Sequence, residues 1–246
     1  MRNKKIDRTT FKINVVTNLI LGTLLVSVGA LCFAPIGESI TAETAGAEIY
    51  RYANTDTGSV SVMFNVYMGT EETYKILDVL EKYDAKATFF IGGCWADDNV
   101  ECLRAIHSKG HEIGNHGYFH KDHSKLSQEN NRREIEDCNR FIELTIGQRP
   151  TLFAPPSGAY GDAMLGACQT LGMKTILWSK DTIDWRDQDV KLIYKRATKE
   201  VKGGDFILMH PTPSTVVALE DILKYYQEHS LKTVTVSQNL SAKQEV

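Results

Sequence analysis

The sequence predicts an α/β fold, a small or incomplete (β/α) barrel of about seven units. Three observations predict it. Short apolar runs alternate with amphipathic helical stretches from Ser59 to about residue 240, and that alternation implies parallel strands joined by right-handed crossovers. The units fill fewer than two hundred residues, whereas a full (β/α) barrel takes about 250. No Gly-x-Gly-x-x-Gly and no phosphate loop follows a strand, so a doubly wound nucleotide-binding sheet lacks its signature.

The elements follow in order. Val60 to Phe64 is a strand. Glu71 to Tyr83 is a helix with Thr70 as its cap and Ile76, Leu80 and Tyr83 on one face. Ala87 to Ile91 is a buried strand. Asn99 to Lys109 is a helix closed by Gly110 in the position that favours glycine. Glu112 to Asn115 is the third strand, and Gln128 to Ile146 a helix with Ile135, Cys138 and Ile142 in line. Thr151 to Phe153 is a strand, Asp162 to Leu171 a helix, and Lys174 to Trp178 the fifth strand. Asp189 to Val201 is a helix and Asp205 to Met209 a strand. Ser214 to His229 is a helix, and Lys232 to Val236 the last strand.

The amino end differs from the rest. Arg2, Lys4, Lys5, Arg8 and Lys12 precede a stretch from Ile13 to Gly37 without charge. A basic flank before an apolar segment reads as an export signal, and the segment also reaches the roughly 20 residues that cross a bilayer. Residues 1–37 are therefore expected to be a signal peptide or an uncleaved membrane anchor that leaves the remainder outside the cytoplasm. Glu38 to Gly58 reads as a linker, and residues 59–240 as the folded domain. The net charge of −3 gives no electrostatic footprint for nucleic acid. Four cysteines lie beyond the segment: Cys94, Cys102, Cys138 and Cys168. Cys102 and Cys138 fall on apolar helix faces and read as buried free thiols.

Barrels of this kind assemble their chemistry at the carboxyl ends of the strands. Those ends carry Asn65-Val66-Tyr67, His116 and His120, Ala154-Pro155-Pro156, Asp181 with Asp184-Trp185, and His210. His116 and His120, four residues apart at one strand end, point to metal binding. Asp181 is expected to orient and charge His210 as a general acid. Trp185, Pro156 and Tyr67 are expected to line the pocket.

These residues carry a resemblance. Gly110-His-Glu-Ile-Gly-Asn-His116, the His116/His120 pair, Trp178-Ser-Lys-Asp181 with Asp184-Trp185, Ile207-Leu-Met-His210 and Lys86-Ala-Thr-Phe-Phe90 resemble, in order and spacing, the polysaccharide deacetylases. These are carbohydrate esterase 4-like proteins with a NodB homology domain, and the resemblance is to their sporulation-associated branch. It spans about Ser59 to Gln238. It implies a distorted (β/α) barrel, a divalent metal such as zinc, and hydrolysis of N-acetyl groups on amino-sugar polymers such as peptidoglycan. It implies that His116 and His120 bind the metal together with a carboxylate. It also implies that a second carboxylate, oriented by an arginine, activates water, and that His210 with Asp181 protonates the leaving amine.

The chain departs from that pattern in one block. The family's Thr-Phe-Asp-Asp-Gly aligns with Met63-Phe-Asn-Val-Tyr67, so Asn65 stands for the base and Val66 for the metal carboxylate. Arg-Pro-Pro-Tyr-Gly aligns with Ala154-Pro-Pro-Ser-Gly158, so Ala154 stands for the arginine. Glu71, Glu72 and Asp184 are candidate replacement carboxylates, with Asp122 a further one. Two readings follow. One is an exported metal-dependent deacetylase of cell-wall glycan with a non-standard base and third ligand. The other is a pseudoenzyme that binds N-acetylated glycan in the cleft without turnover.

Overall fold

The computed structural model describes residues 48–53 and 57–242. The apolar segment and most of the expected linker lie outside the described residues. No helix among those described is long and apolar enough to cross a membrane.

Among the described residues nine strands run β1 (Ile49–Tyr50), β2 (Ser59–Val66), β3 (Thr88–Ile91), β4 (Glu112–Asn115), β5 (Leu152–Phe153), β6 (Lys174–Ile176), β7 (Lys180–Asp181), β8 (Phe206–Met209) and β9 (Lys232–Thr233). Their order is β1-β6-β5-β4-β3-β2-β8-β7, with β9 on β2. Every named pair is parallel. The sheet curls without closing, a distorted and incomplete (β/α) barrel. The helices are α1 (Thr70–Lys82), α2 (Gly93–Asp98), α3 (Val100–Ser108), α4 (Gln128–Ile146), α5 (Asp162–Thr170), α6 (Asp184–Asp187), α7 (Val190–Thr198), α8 (Pro213–Glu228) and α9 (Val236–Ser241).

Alternation along β2 sorts its side chains between two cores. Val60, Val62, Phe64 and Val66 join the outer cluster with Ile76, Leu80, Ile207 and Leu219 of the neighbouring elements. Met63 joins the inner cluster with Phe90, Leu152, Ala154 and Leu208. Both faces are apolar because helices cover one side and the barrel interior the other. Gly114 leaves space for that interior: a Cβ there would stand 2.4 Å from the Phe90 ring.

Several elements depart from expectation. Ile49–Tyr50, inside the expected linker, pair with Thr175 and Ile176 and extend the sheet. The expected fifth strand stops at Ile176, and Lys180–Asp181 form a separate strand on β8. The expected last strand keeps only Lys232–Thr233. Thr235 then caps α9 with a reciprocal side-chain box. That helix end plugs the amino end of the barrel: Val236 N donates to Thr88 Oγ1 and Ser237 N to Glu112 Oε2. Cys102, Cys138 and Cys168 are buried free thiols and Cys94 is an exposed one.

Candidate functional site

The loop after β4 is built by a buried asparagine. Asn115 Nδ2 donates to Ile135 O and to Asn139 Oδ1, both at 2.8 Å, and its Oδ1 accepts Gly117 N at 2.7 Å. This side-chain turn bends the chain at once, with Gly117 at φ 76°. A Cβ on Gly117 would lie 2.8 Å from His123 Nε2, so no larger residue fits. Glu134, 5% exposed, pins the far side of the loop by accepting Phe119 N at 2.9 Å and pairing with Lys121 Nζ at 2.6 Å. Asn115, Asn139 and Glu134 were invisible as site builders in the sequence, because their bonds join the chain after β4 to α4, and residue spacing does not show which side chains meet across that gap.

The bend turns His116 inward. Its Nδ1 donates to the Ala154 carbonyl at 2.7 Å. A carbonyl only accepts, so the proton sits on Nδ1 and Nε2 is left bare. That Nε2 is buried and has no partner. Burial, with His120 next in size, pushes the His116 pKa down to about 3. His120 sits at φ 52°, and burial lowers its pKa too. The two rings lie 5.1 Å apart between centroids.

The end of β2 places Asn65 at 2% exposure with Oδ1 unpartnered, and Val66 fully buried in the outer apolar cluster. Tyr67, half-buried, leans over the histidines: its ring centroid is 4.1 Å from His120, 6.3 Å from His116 and 6.5 Å from His210.

The neighbouring ends of β7 and β8 correct one expectation. The carboxylate that holds His210 is Asp184, not Asp181. Asp184 Oδ1 meets His210 Nδ1 at 2.8 Å, and Oδ2 accepts His210 N at 2.6 Å and Thr215 Oγ1 at 2.5 Å. Trp185 N adds a bond to Oδ1 at 2.9 Å. Asp181 spends its Oδ1 on Ile183 N at 2.8 Å. The physical reason is the turn: Ile183 is left-handed at φ 55°, a costly conformation for a β-branched residue. That turn reverses the chain and drops Asp184, three residues later, into the interior. Trp185 is 54% exposed at the rim, and Pro156 is buried at the start of the Pro156–Gly158 turn.

The candidate replacement carboxylates are committed elsewhere. Glu71 pairs with Lys75 at 2.6 Å on the surface, and Glu72 shares with it the first turn of α1, where acids favour the helix dipole. Asp122 binds Ser124 and Lys125. Asp184 serves His210. Among the described residues no group of three or more His, Cys, Asp or Glu converges to hold a metal ion. A catalytic zinc takes three protein ligands. Two imidazoles, an amide and a valine do not fit one.

Residues 52–176 match the polysaccharide deacetylase family model. Over 207 residues the chain is 36% identical to the uncharacterized protein YlxY of Bacillus subtilis, covering 83% of this chain and 65% of YlxY, slightly less than two thirds of that protein's length. Over 183 residues it is 36% identical to a peptidoglycan-N-acetylglucosamine deacetylase of Bacillus cereus, covering 71% of this chain and 85% of that enzyme. Among solved structures, BA3943 of Bacillus anthracis, described as a CE4 family pseudoenzyme, superposes with a TM-score of 0.78 at 32% identity, over 80% of this chain and 70% of that one. A BA3943 mutant described as having restored enzymatic activity superposes with the same TM-score at 31% identity, over 80% and 73%.

Proposed function

We propose a function for a chain that belongs to the polysaccharide deacetylase family: it binds N-acetylated cell-wall glycan in the barrel cleft and does not hydrolyse it. The observation that carries this reading is the β2 end. Where the family places a base and a metal carboxylate, this chain has the buried amide of Asn65 and the core side chain of Val66. An amide oxygen is barely basic, so it takes no proton from water near neutral pH. Ala154 has no charged head to orient a base, and offers His116 its backbone carbonyl instead. A positioned base is worth about 10²–10⁴-fold in rate, and that contribution is missing.

His210 with Asp184 keeps the form of an acid pair, and Trp185, Tyr67 and Pro156 stand at the cleft. This supports retained recognition of the sugar without its chemistry. The likeness to a protein described as a pseudoenzyme supports it as well. Residues 1–37 would deliver the domain outside the cytoplasm, as a cleaved signal or as an anchor, where relatives named for peptidoglycan act.

The test is acetate release from N-acetylated peptidoglycan, with and without added zinc, beside retention of the protein on the insoluble polymer. The expected result is retention without acetate. The double variant Asn65→Asp/Val66→Asp should gain zinc and release acetate at least about 10²-fold above the parent. Acetate released by the parent, and abolished by His116→Ala, would return the protein to the metal-dependent deacetylases.

A further inference from the structure

The interior face of β2 carries Met63, then Asn65, and beyond the strand end Tyr67. Met63 is packed in the inner core. Asn65 Oδ1, one step higher, is a buried acceptor with no donor. His116 Nε2 is a second one, bare because Nδ1 gives its proton to Ala154 O. Two desolvated acceptors at one end of a cleft are complementary to a ligand that brings hydrogens.

Tyr67 stands above them. It occupies the motif position where the family carries glycine, so an aromatic ring has been added at the cleft rather than merely exchanged. The ring tilts by 40° over His120 at 4.1 Å and meets His210 edge-on at 82°. Burial, with the Asp184 charge second, raises the phenol pKa, so the ring stays neutral. One side of the ring is taken by His120, and the side chain is only half-buried.

We propose that Tyr67 turns this end of the cleft from an ion site into a sugar-stacking platform. A pyranose ring of the N-acetylated glycan lies on the exposed part of Tyr67, at the mouth of a cleft whose floor holds the acceptors Asn65 Oδ1 and His116 Nε2. The inference rests on the glycan-binding reading and names the residue that determines it. The C–H face of a sugar is apolar and carries slight positive charge, which suits the negative face of an aromatic ring. Neutral acceptors suit a neutral donor. A divalent ion would find no charge there to balance its own.

The experiment is calorimetric titration of the full chain with N-acetylchitotetraose, for the parent, Tyr67→Phe and Tyr67→Gly, with thermal melts of all three. The expected result is parent-like affinity for Tyr67→Phe and at least a tenfold loss for Tyr67→Gly, with both variants folded. Saturation-transfer NMR should place the sugar C–H protons against an aromatic ring in the parent and Tyr67→Phe, and lose that contact in Tyr67→Gly. This readout does not move if the residue only supports the fold. If the parent binds the tetramer and Tyr67→Gly binds equally well, the platform is overturned and glycan binding stands. If the parent binds no tetramer, glycan binding fails and the platform with it. If zinc chloride alone titrates stoichiometrically into the parent and the heat is lost in His116→Ala, the conversion from an ion site is overturned.

Discussion

At the end of β8 the carboxylate of Asp184 meets four donors, from His210 N, His210 Nδ1, Thr215 Oγ1 and Trp185 N. At the end of β2, the strand beside it, Asn65 Oδ1 meets none, and neither does His116 Nε2 beyond β4. The two walls come from one barrel and one sequence family, yet one is hydrogen-bonded to completion and the other is left open. Buried polar groups are almost always paired, so the exceptions mark where a site has been altered or awaits a ligand. The complete wall gains stability from its polar groups. The open wall carries them at a cost that only an added ligand offsets.

The largest expected effect falls on the complete wall. Asp184→Ala removes a fully buried acceptor from four donors and should cost about 3–5 kcal/mol. Asp181→Ala, which loses one turn bond, should cost about 1 kcal/mol. Urea denaturation of both variants checks this, and equal losses would erase the distinction between the two aspartates.

Acidification tests the buried neutral imidazoles. His116 is held at about 3, and His111, buried near Lys86 and Lys109, at about 4, both below the ordinary 6.5. Because the folded pKa values are depressed, the unfolded chain binds more protons as pH drops below 6.5. Stability is therefore fully present above about 6.5 and is lost as pH falls toward 4 and then 3. Each histidine contributes a slope of about 1.4 kcal/mol per pH unit at most. His111→Gln should flatten the curve between pH 6.5 and 4, as read by denaturation at a series of pH values.

The smallest effect belongs to the open wall. Asn65→Leu replaces an unpartnered amide with an apolar group of similar size, and should change stability by less than about 1 kcal/mol in either direction. A loss as large as that of Asp184→Ala would mean that Asn65 is held by bonds comparable to those of the complete wall.

Much of the barrel is legible in the sequence. The central strands β2, β3 and β8 are largely apolar runs, and the longer helices from Glu71 to His229 carry an apolar stripe at the helical period. Burial on both faces or on one writes itself into the sequence. Strand ends were legible as a result, and with them His116, His120, His210, Asn65, Val66 and Ala154. The partner of His210 was not. Asp181 and Asp184 differ by three positions in one loop, and local pattern does not tell which one a left-handed Ile183 throws inward.

By itself the sequence determined the alternation, the parallel order it implies and the chemical types at each strand end, since those depend on composition and period. The tertiary structure alone decided which atoms are paired. Asp184 rather than Asp181 on His210, Asn115 and Glu134 behind the histidine loop, Ala154 O on His116 and the Tyr67 ring over His120 all join residues from separate elements. Hydrogen bonds and ring contacts are set by ångström distances in the folded chain, and no spacing along the sequence encodes them.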